Sequence, residues 1–165
     1  MLAGREKRAE RQRKLISRFG RPLISFSLNI PGPDKLSGPW ARVMAVGLEA
    51  IEQQMRERSL AIRHRESGRT AAGLEAFLVV EADAAGLKEL AMAIERDHPL
   101  GRLFDLDVLD ERAWPLSRES YGESKRACVI CGGQTALCRR GGQHTTEVVL
   151  RRLEEIVSTY FQAPA

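Results

Sequence analysis

Leu23-Ile24-Ser25-Phe26-Ser27-Leu28-Asn29-Ile30 sets Ile24, Phe26, Leu28 and Ile30 against Ser25, Ser27 and Asn29 in strict alternation. A period of two sends the apolar set to one face of a strand and the polar set to the other, so this stretch predicts a half-buried strand. Pro31-Gly32-Pro33 ends it abruptly. Working downstream, Met44, Leu48, Ile51 and Met55 recur at helical spacing within 40–58, which predicts an amphipathic helix packed on a sheet. Leu60 to His64 reads as a short strand, Glu66-Ser67-Gly68-Arg69 as a turn, and Leu74 to Val80 as a second, mostly buried strand. Asp83 stands where an N-cap belongs, ahead of a helix with Leu87, Leu90, Ala91 and Ile94 on one face. His98-Pro99 stops that helix, and Leu103 to Leu109 reads as a strand. The order from Leu23 to Leu109 is therefore β-α-β-β-α-β, the split order of a ferredoxin-like sheet. A mixed sheet of the nucleotidyltransferase type would use similar pieces.

Outside this core, residues 1–21 predict a basic helix with little apolar periodicity, exposed or docked on something else. Residues 126–144 hold every cysteine. A last helix is expected over 145–162, with Val149, Leu153, Ile156 and Tyr160 in one stripe. With the core at 22–110, the 165 residues read as a single α+β domain: a mixed or antiparallel sheet, helices packed on it, then a cysteine-rich turn and a helix.

Charge narrows the partners. The net charge is +4, and Arg5, Lys7, Arg8, Arg11, Arg13, Lys14, Arg18 and Arg21 are opposed near the start only by Glu6 and Glu10. Such a run suits an acidic protein or a polyphosphate, and equally a solvated helix face. Nucleic acid is disfavoured, since aromatics are 5% of the chain and supply no stacking platform. No apolar run nears the roughly 20 residues of a membrane span, and the charged start lacks the apolar stretch of a secretory signal. A clustered, odd number of cysteines argues against a disulfide scaffold. The expectation is a cytoplasmic protein, with no membrane and no nucleic acid partner.

Two groups of residues carry chemistry. Asp105 and Asp107 lie two apart in Arg102-Leu103-Phe104-Asp105-Leu106-Asp107-Val108. On a strand their carboxylates share a face, about 7 Å apart at Cα. They repel unless a cation lies between them, and Mg²⁺ accepts one or two carboxylates together with phosphate oxygens. The competing reading is a strand end dipping into solvent, its acids paired with surface arginines. Phe104, Leu106 and Val108 favour a central strand over an edge. Arg102 is a phosphate ligand by type, although strand parity turns it from the aspartates unless Gly101 bends the chain. The second group is Cys128-x2-Cys131-x6-Cys138-x5-His144, four groups able to hold zinc tetrahedrally, with Gly132-Gly133 to turn the chain. A reactive thiol lowered by neighbouring arginines and thiols packed as small hydrophobes are the alternatives.

Three blocks in order give a family resemblance. Arg5-Glu6-Lys7-Arg8 with Gln12 precedes Ser27-Leu28-Asn29-Ile30-Pro31-Gly32-Pro33-Asp34-Lys35; Gly101 to Val108 follows; Arg126-Ala127-Cys128-x2-Cys131 through Ala136, Cys138, Arg139 and His144 closes the set. Together the blocks resemble the holo-citrate-lyase synthases, also called apo-citrate lyase phosphoribosyl-dephospho-CoA transferases. The resemblance implies a nucleotidyltransferase-type enzyme. Its reaction moves the phosphoribosyl-dephospho-CoA group from triphosphoribosyl-dephospho-CoA to a serine of the acyl carrier subunit of citrate lyase, and pyrophosphate leaves. It implies Mg²⁺ on Asp105 and Asp107, and phosphate contacts from Arg102, Lys35, Asn29, Arg126 and Arg139. His98 and His144 are candidate proton acceptors, though each also reads as a helix stop or a metal ligand. Competing functions are a carrier-protein synthase for another lyase or decarboxylase, and a zinc-stabilised module gripping RNA or an acidic protein.

Overall fold

The computed structural model describes residues 2–32, 34–36, 38–70, 73–124 and 126–163. Helix α1 (Leu2–Phe19) leads to strand β1 (Leu23–Leu28), helix α2 (Trp40–Glu57), strand β2 (Ala61–Thr70), strand β3 (Gly73–Glu81) and helix α3 (Ala84–Asp97). A 3₁₀ turn, Gly101–Leu103, then introduces strand β4 (Phe104–Leu109). A second 3₁₀ turn (Arg118–Tyr121) precedes helices α4 (Thr135–Arg140) and α5 (Thr146–Gln162).

The four strands hydrogen-bond in the order β2-β3-β1-β4, and every neighbouring pair is antiparallel. Each β-α-β passage thus joins strands separated by one other, the split arrangement that the sequence order predicts. Alternation does the sorting. Ile24, Phe26, Leu78, Val80, Phe104, Leu106 and Val108 pack against Val43 and Ile51 of α2 and Leu87, Leu90 and Ile94 of α3. Each such side chain contributes about 1.5–3 kcal/mol on full burial. Gly47 lets α2 come down onto the sheet, because a Cβ there would overlap the Phe26 ring. From α5, Leu153 and Val157 extend the same core.

The opposite face is covered by α1. Leu15 and Ile16 pack on Leu23, Phe77, Val79 and Leu109, and Phe19 stacks on His64 at 5.1 Å. The helix is therefore a layer of the fold. Its arginines reach the sheet: Arg11 Nε donates to Glu66 at 2.5 Å, and Arg8 Nε lies 2.8 Å from Glu75.

Two expectations are corrected. The proposed turn at Glu66-Ser67-Gly68-Arg69 is strand, since β2 pairs with β3 out to Thr70 opposite Gly73. β2 is an edge strand with polar side chains on both faces, and that composition looks like a turn when read locally. The strand bearing the acidic pair is also an edge, bonded on one side to β1 alone. Its apolar flanks are buried because α3 covers it, and its free edge is closed by other groups. Leu106 N–H donates to the Glu95 carboxylate at 2.7 Å, and Val108 C=O accepts from Leu116 at 2.9 Å.

Helix ends follow the sequence closely. Asp83 caps α3 by accepting from Gly86 N–H at 2.7 Å, and His98 closes it. Thr145 caps α5 through Val148 N–H at 3.3 Å.

Candidate active site

Asp105 and Asp107 project from β4 on the α1 side of the sheet, while Phe104, Leu106 and Val108 between them are buried on the other. Register puts Ser27 of β1 opposite both Asp105 on β4 and Glu75 on β3. One row across the sheet therefore reads Glu75, Ser27, Asp105. Arg8 reaches down from α1 onto Glu75, and its Nη1 lies 3.5 Å from Ser27 Oγ. In the next row Ser25 faces Asp107 and accepts from Gln12 Nε2 at 2.9 Å. Packing around the Asp107 carboxyl and, after it, the charge of Asp105 raise the Asp107 pKa. The residue as a whole stays exposed, so solvent screens much of that effect. Two hard oxygen donors, open to solvent on one face and two residues apart, fit Mg²⁺ with water and phosphate oxygens completing its shell.

Beside this pair stands a buried carboxylate that the sequence analysis missed. Glu95 of α3 ion-pairs with both Arg118 and Arg126, and its side chain is only 6% exposed. Arg126 also lies 3.2 Å from Asp105. Turned with its amide oxygen toward them, Asn29 accepts from Arg102 Nη1 at 3.0 Å and Arg126 Nη1 at 3.2 Å. Arg102 sits on the 3₁₀ turn, outside β4, so strand parity does not govern it. Its Nη2 donates to Ala127 C=O at 3.0 Å, and its buried Nε has no partner among the described residues. Gly101 makes that turn feasible, because a Cβ there would overlap the Glu95 carbonyl oxygen. Asn29, Arg102, Arg126 and Asp105 thus converge.

Lys35 joins them electrostatically. Burial lowers its pKa, and the positive charges of Arg8 and Arg139 lower it further, with Asp105 opposing. Arg102 is lowered for the same reasons, by burial and then by Arg126. Cations crowded on one another in this way are costly unless an anion shares the site. A cavity of about 130 Å³ opens among Asn29, Arg102, Cys128, Cys138, Arg139 and His144.

The cysteine segment forms the wall of that cavity. The sulfurs of Cys128, Cys131 and Cys138 and a ring nitrogen of His144 all lie within 4.8 Å of one another. A tetrahedral ion with bonds of about 2.0–2.3 Å sets its ligand atoms ~3.3–3.8 Å apart, so a small closing of the side chains lets the cluster hold a metal ion. Gly132, at φ 72°, turns the chain just after Cys131, and the turn is closed by Cys128 N–H donating to Gly133 C=O at 2.5 Å. Backbone N–H groups of Cys131 and Ile130 point at the Cys128 sulfur and lower its pKa. His144 Nε2 is buried with no hydrogen-bond partner among the described residues, as an unfilled ligand atom would be.

His98 belongs elsewhere. Its Nδ1 accepts from Leu100 N–H at 3.0 Å, and its ring packs between Phe104 and Tyr160 on the helix side of the sheet. It is a helix stop, across the sheet from the acidic pair.

Two carboxylates side by side on an α+β sheet, with Arg126 3.2 Å from one of them, are groups that an enzyme handling a phosphate-linked substrate could use. The sequence profile of the family described as apo-citrate lyase phosphoribosyl-dephospho-CoA transferase matches residues 1–160. A Vibrio cholerae protein named "Probable apo-citrate lyase phosphoribosyl-dephospho-CoA transferase" is 35% identical over 161 residues, 97% of this chain and 90% of its own. Proteins of Citrobacter koseri and Escherichia coli carrying that name without the qualifier are each 34% identical. They align with 95% and 96% of this chain, and with 86% of their own lengths. The chain belongs to the apo-citrate lyase phosphoribosyl-dephospho-CoA transferase family, and it is a transferase. No helix among the described residues is long and apolar enough to cross a membrane.

Proposed function

We propose that the chain transfers the phosphoribosyl-dephospho-CoA group of triphosphoribosyl-dephospho-CoA to a serine hydroxyl on the acyl carrier subunit of citrate lyase. The serine oxygen bonds to the phosphorus next to the ribose, the bond from that phosphorus to pyrophosphate breaks, and the hydroxyl proton is released. The observation that supports this reading best is the convergence of Asn29, Arg102 and Arg126 beside Asp105, with Arg139 on the wall of the adjoining cavity, a set of donors and cations that suits a polyphosphate. In this reading Asp105 and Asp107 hold Mg²⁺, which supplies neutralisation of the charge that builds on the phosphates. Asn29 accepts from both the Arg102 and Arg126 guanidiniums, and the ion pair to Glu95 holds Arg126 in place beside Asp105. Three thiolates and an imidazole in a closed set favour zinc as the ion of the cysteine cluster. Three cysteines without disulfides and a CoA-derived donor support a cytoplasmic setting for this reaction, with a protein and a small molecule as its partners.

An RNA-gripping or acidic-protein-gripping module is not favoured. Arg8 and Arg11, at the heart of the basic run, are occupied by Glu75 and Glu66 of the sheet.

Incubating the protein with apo carrier subunit, Mg²⁺ and triphosphoribosyl-dephospho-CoA should add the phosphoribosyl-dephospho-CoA mass to the carrier, with an equal amount of pyrophosphate. An unmodified carrier beside folded enzyme would overturn the proposal. Equal use of ordinary CoA as donor would overturn the donor assignment.

A further inference from the structure

The segment from Arg118 to His144 has little to hold it. Its regular structure is one 3₁₀ turn and the six-residue α4, and its larger aliphatic side chains Ile130 and Leu137 are exposed. Of its side chains, those of Cys128 and Cys138 are the buried ones among the described residues. Yet this segment delivers two of the cations of the site. Arg126 precedes Cys128 by two residues, and Arg139 follows Cys138 directly. The link between cluster and cations is also hydrogen-bonded. Arg126 C=O accepts from Thr135 Oγ1 at 2.8 Å and Thr135 N–H at 3.3 Å, at the start of the helix that carries Cys138. Ala127 bridges to Gln134, and Ala127 C=O takes the Arg102 guanidinium.

We propose that a metal ion held by Cys128, Cys131, Cys138 and His144 is a clamp that positions Arg126 beside Asp105 and Arg139 on the wall of the cavity with Arg102, so that metal occupancy governs polyphosphate binding. The ion acts at a distance from the reacting atoms. It replaces the hydrophobic core that the segment lacks, and it gives the orphaned His144 Nε2 a partner. Metal affinity becomes ordering of the segment, because a preformed site does not persist without its ion. The inference rests on the transferase reading only for the identity of the anion.

The full-length protein should carry close to one equivalent of zinc by elemental analysis. Chelation, or Cys131→Ser at the exposed ligand, should remove the metal and weaken inorganic pyrophosphate binding in the presence of Mg²⁺ at least about tenfold, by calorimetry. Amide exchange should quicken across 126–144 while β1 and β3 stay protected. Cys131→His, which restores a ligand, should recover metal and affinity together. Arg126→Ala should lose affinity with its metal retained, which keeps the idea testable if the metal-free forms unfold. Protein purified without metal, metal-free protein with unchanged pyrophosphate affinity, or Cys131→His that regains metal without affinity would each overturn the clamp. Metal-loaded enzyme that binds pyrophosphate but leaves the carrier unmodified would count against the transferase reading and leave the clamp standing.

Discussion

Replacing Glu95 by glutamine changes one charge and almost no volume, at the point where α3, β4 and the cysteine segment meet. Its carboxylate touches both Arg118 and Arg126, whose side chains are 21% and 20% exposed, and accepts Leu106 N–H. The amide can still accept from Leu106 but cannot neutralise two guanidiniums. Removing one partner from a buried ion pair costs about 3–5 kcal/mol. Here the arginines keep some solvent, Arg126 keeps Asp105 at 3.2 Å, and burial already raises the Glu95 pKa against the ionised form. The expected loss is therefore nearer ~2 kcal/mol. With a urea m-value of about 2 kcal/mol per molar, the denaturation midpoint should fall by about 1 M with m unchanged. Arg126, freed from its anchor, should also bind pyrophosphate more weakly. A Glu95→Gln midpoint indistinguishable from the parent would refute the view that this carboxylate is the keystone between sheet and site.

The acidic pair and the α1 contact give two further tests. Asp105→Asn and Asp107→Asn should each lower transfer by orders of magnitude, with the melting temperature unchanged, or raised for Asp107→Asn, since like charge is relieved; transfer within a few-fold of the parent in both would sink the Mg²⁺ assignment. The hydrogen bond from Arg11 holds the Glu66 pKa down at about 2. Because the folded value lies below the unfolded one, this stabilisation is full above about pH 4.5 and is lost as pH falls through about 2. Arg11→Ala should flatten the melting temperature's pH dependence in that window, while costing at most about 1 kcal/mol at neutral pH given the exposure of Arg11. An unchanged acid profile would show that α1 is not tied to the sheet there.

What the sequence determined by itself was whatever a local period or a local cap encodes. Alternation through Ile24 to Ile30 and through Phe104 to Val108, the helical spacing of Met44 to Met55, and the Asp83 cap each act over a few residues, so they set the element order and put Asp105 and Asp107 on one face. The spacing of Cys128, Cys131, Cys138 and His144 was legible for the same reason. Pairing is not local. That β4 is an edge and β2 runs through Glu66-Ser67-Gly68-Arg69 depends on which strand lies alongside, and no period reports it. Glu75 was visible only as an acid interrupting an apolar strand, and Glu95 carried no signal at all, since its value lies in guanidiniums 23 and 31 residues away. Tertiary structure alone made Glu75, Ser27 and Asp105 one row, laid α1 over it, and brought Asn29, Arg102 and Arg126 together beside Asp105, because antiparallel register and helix packing set distances between residues that the chain keeps far apart.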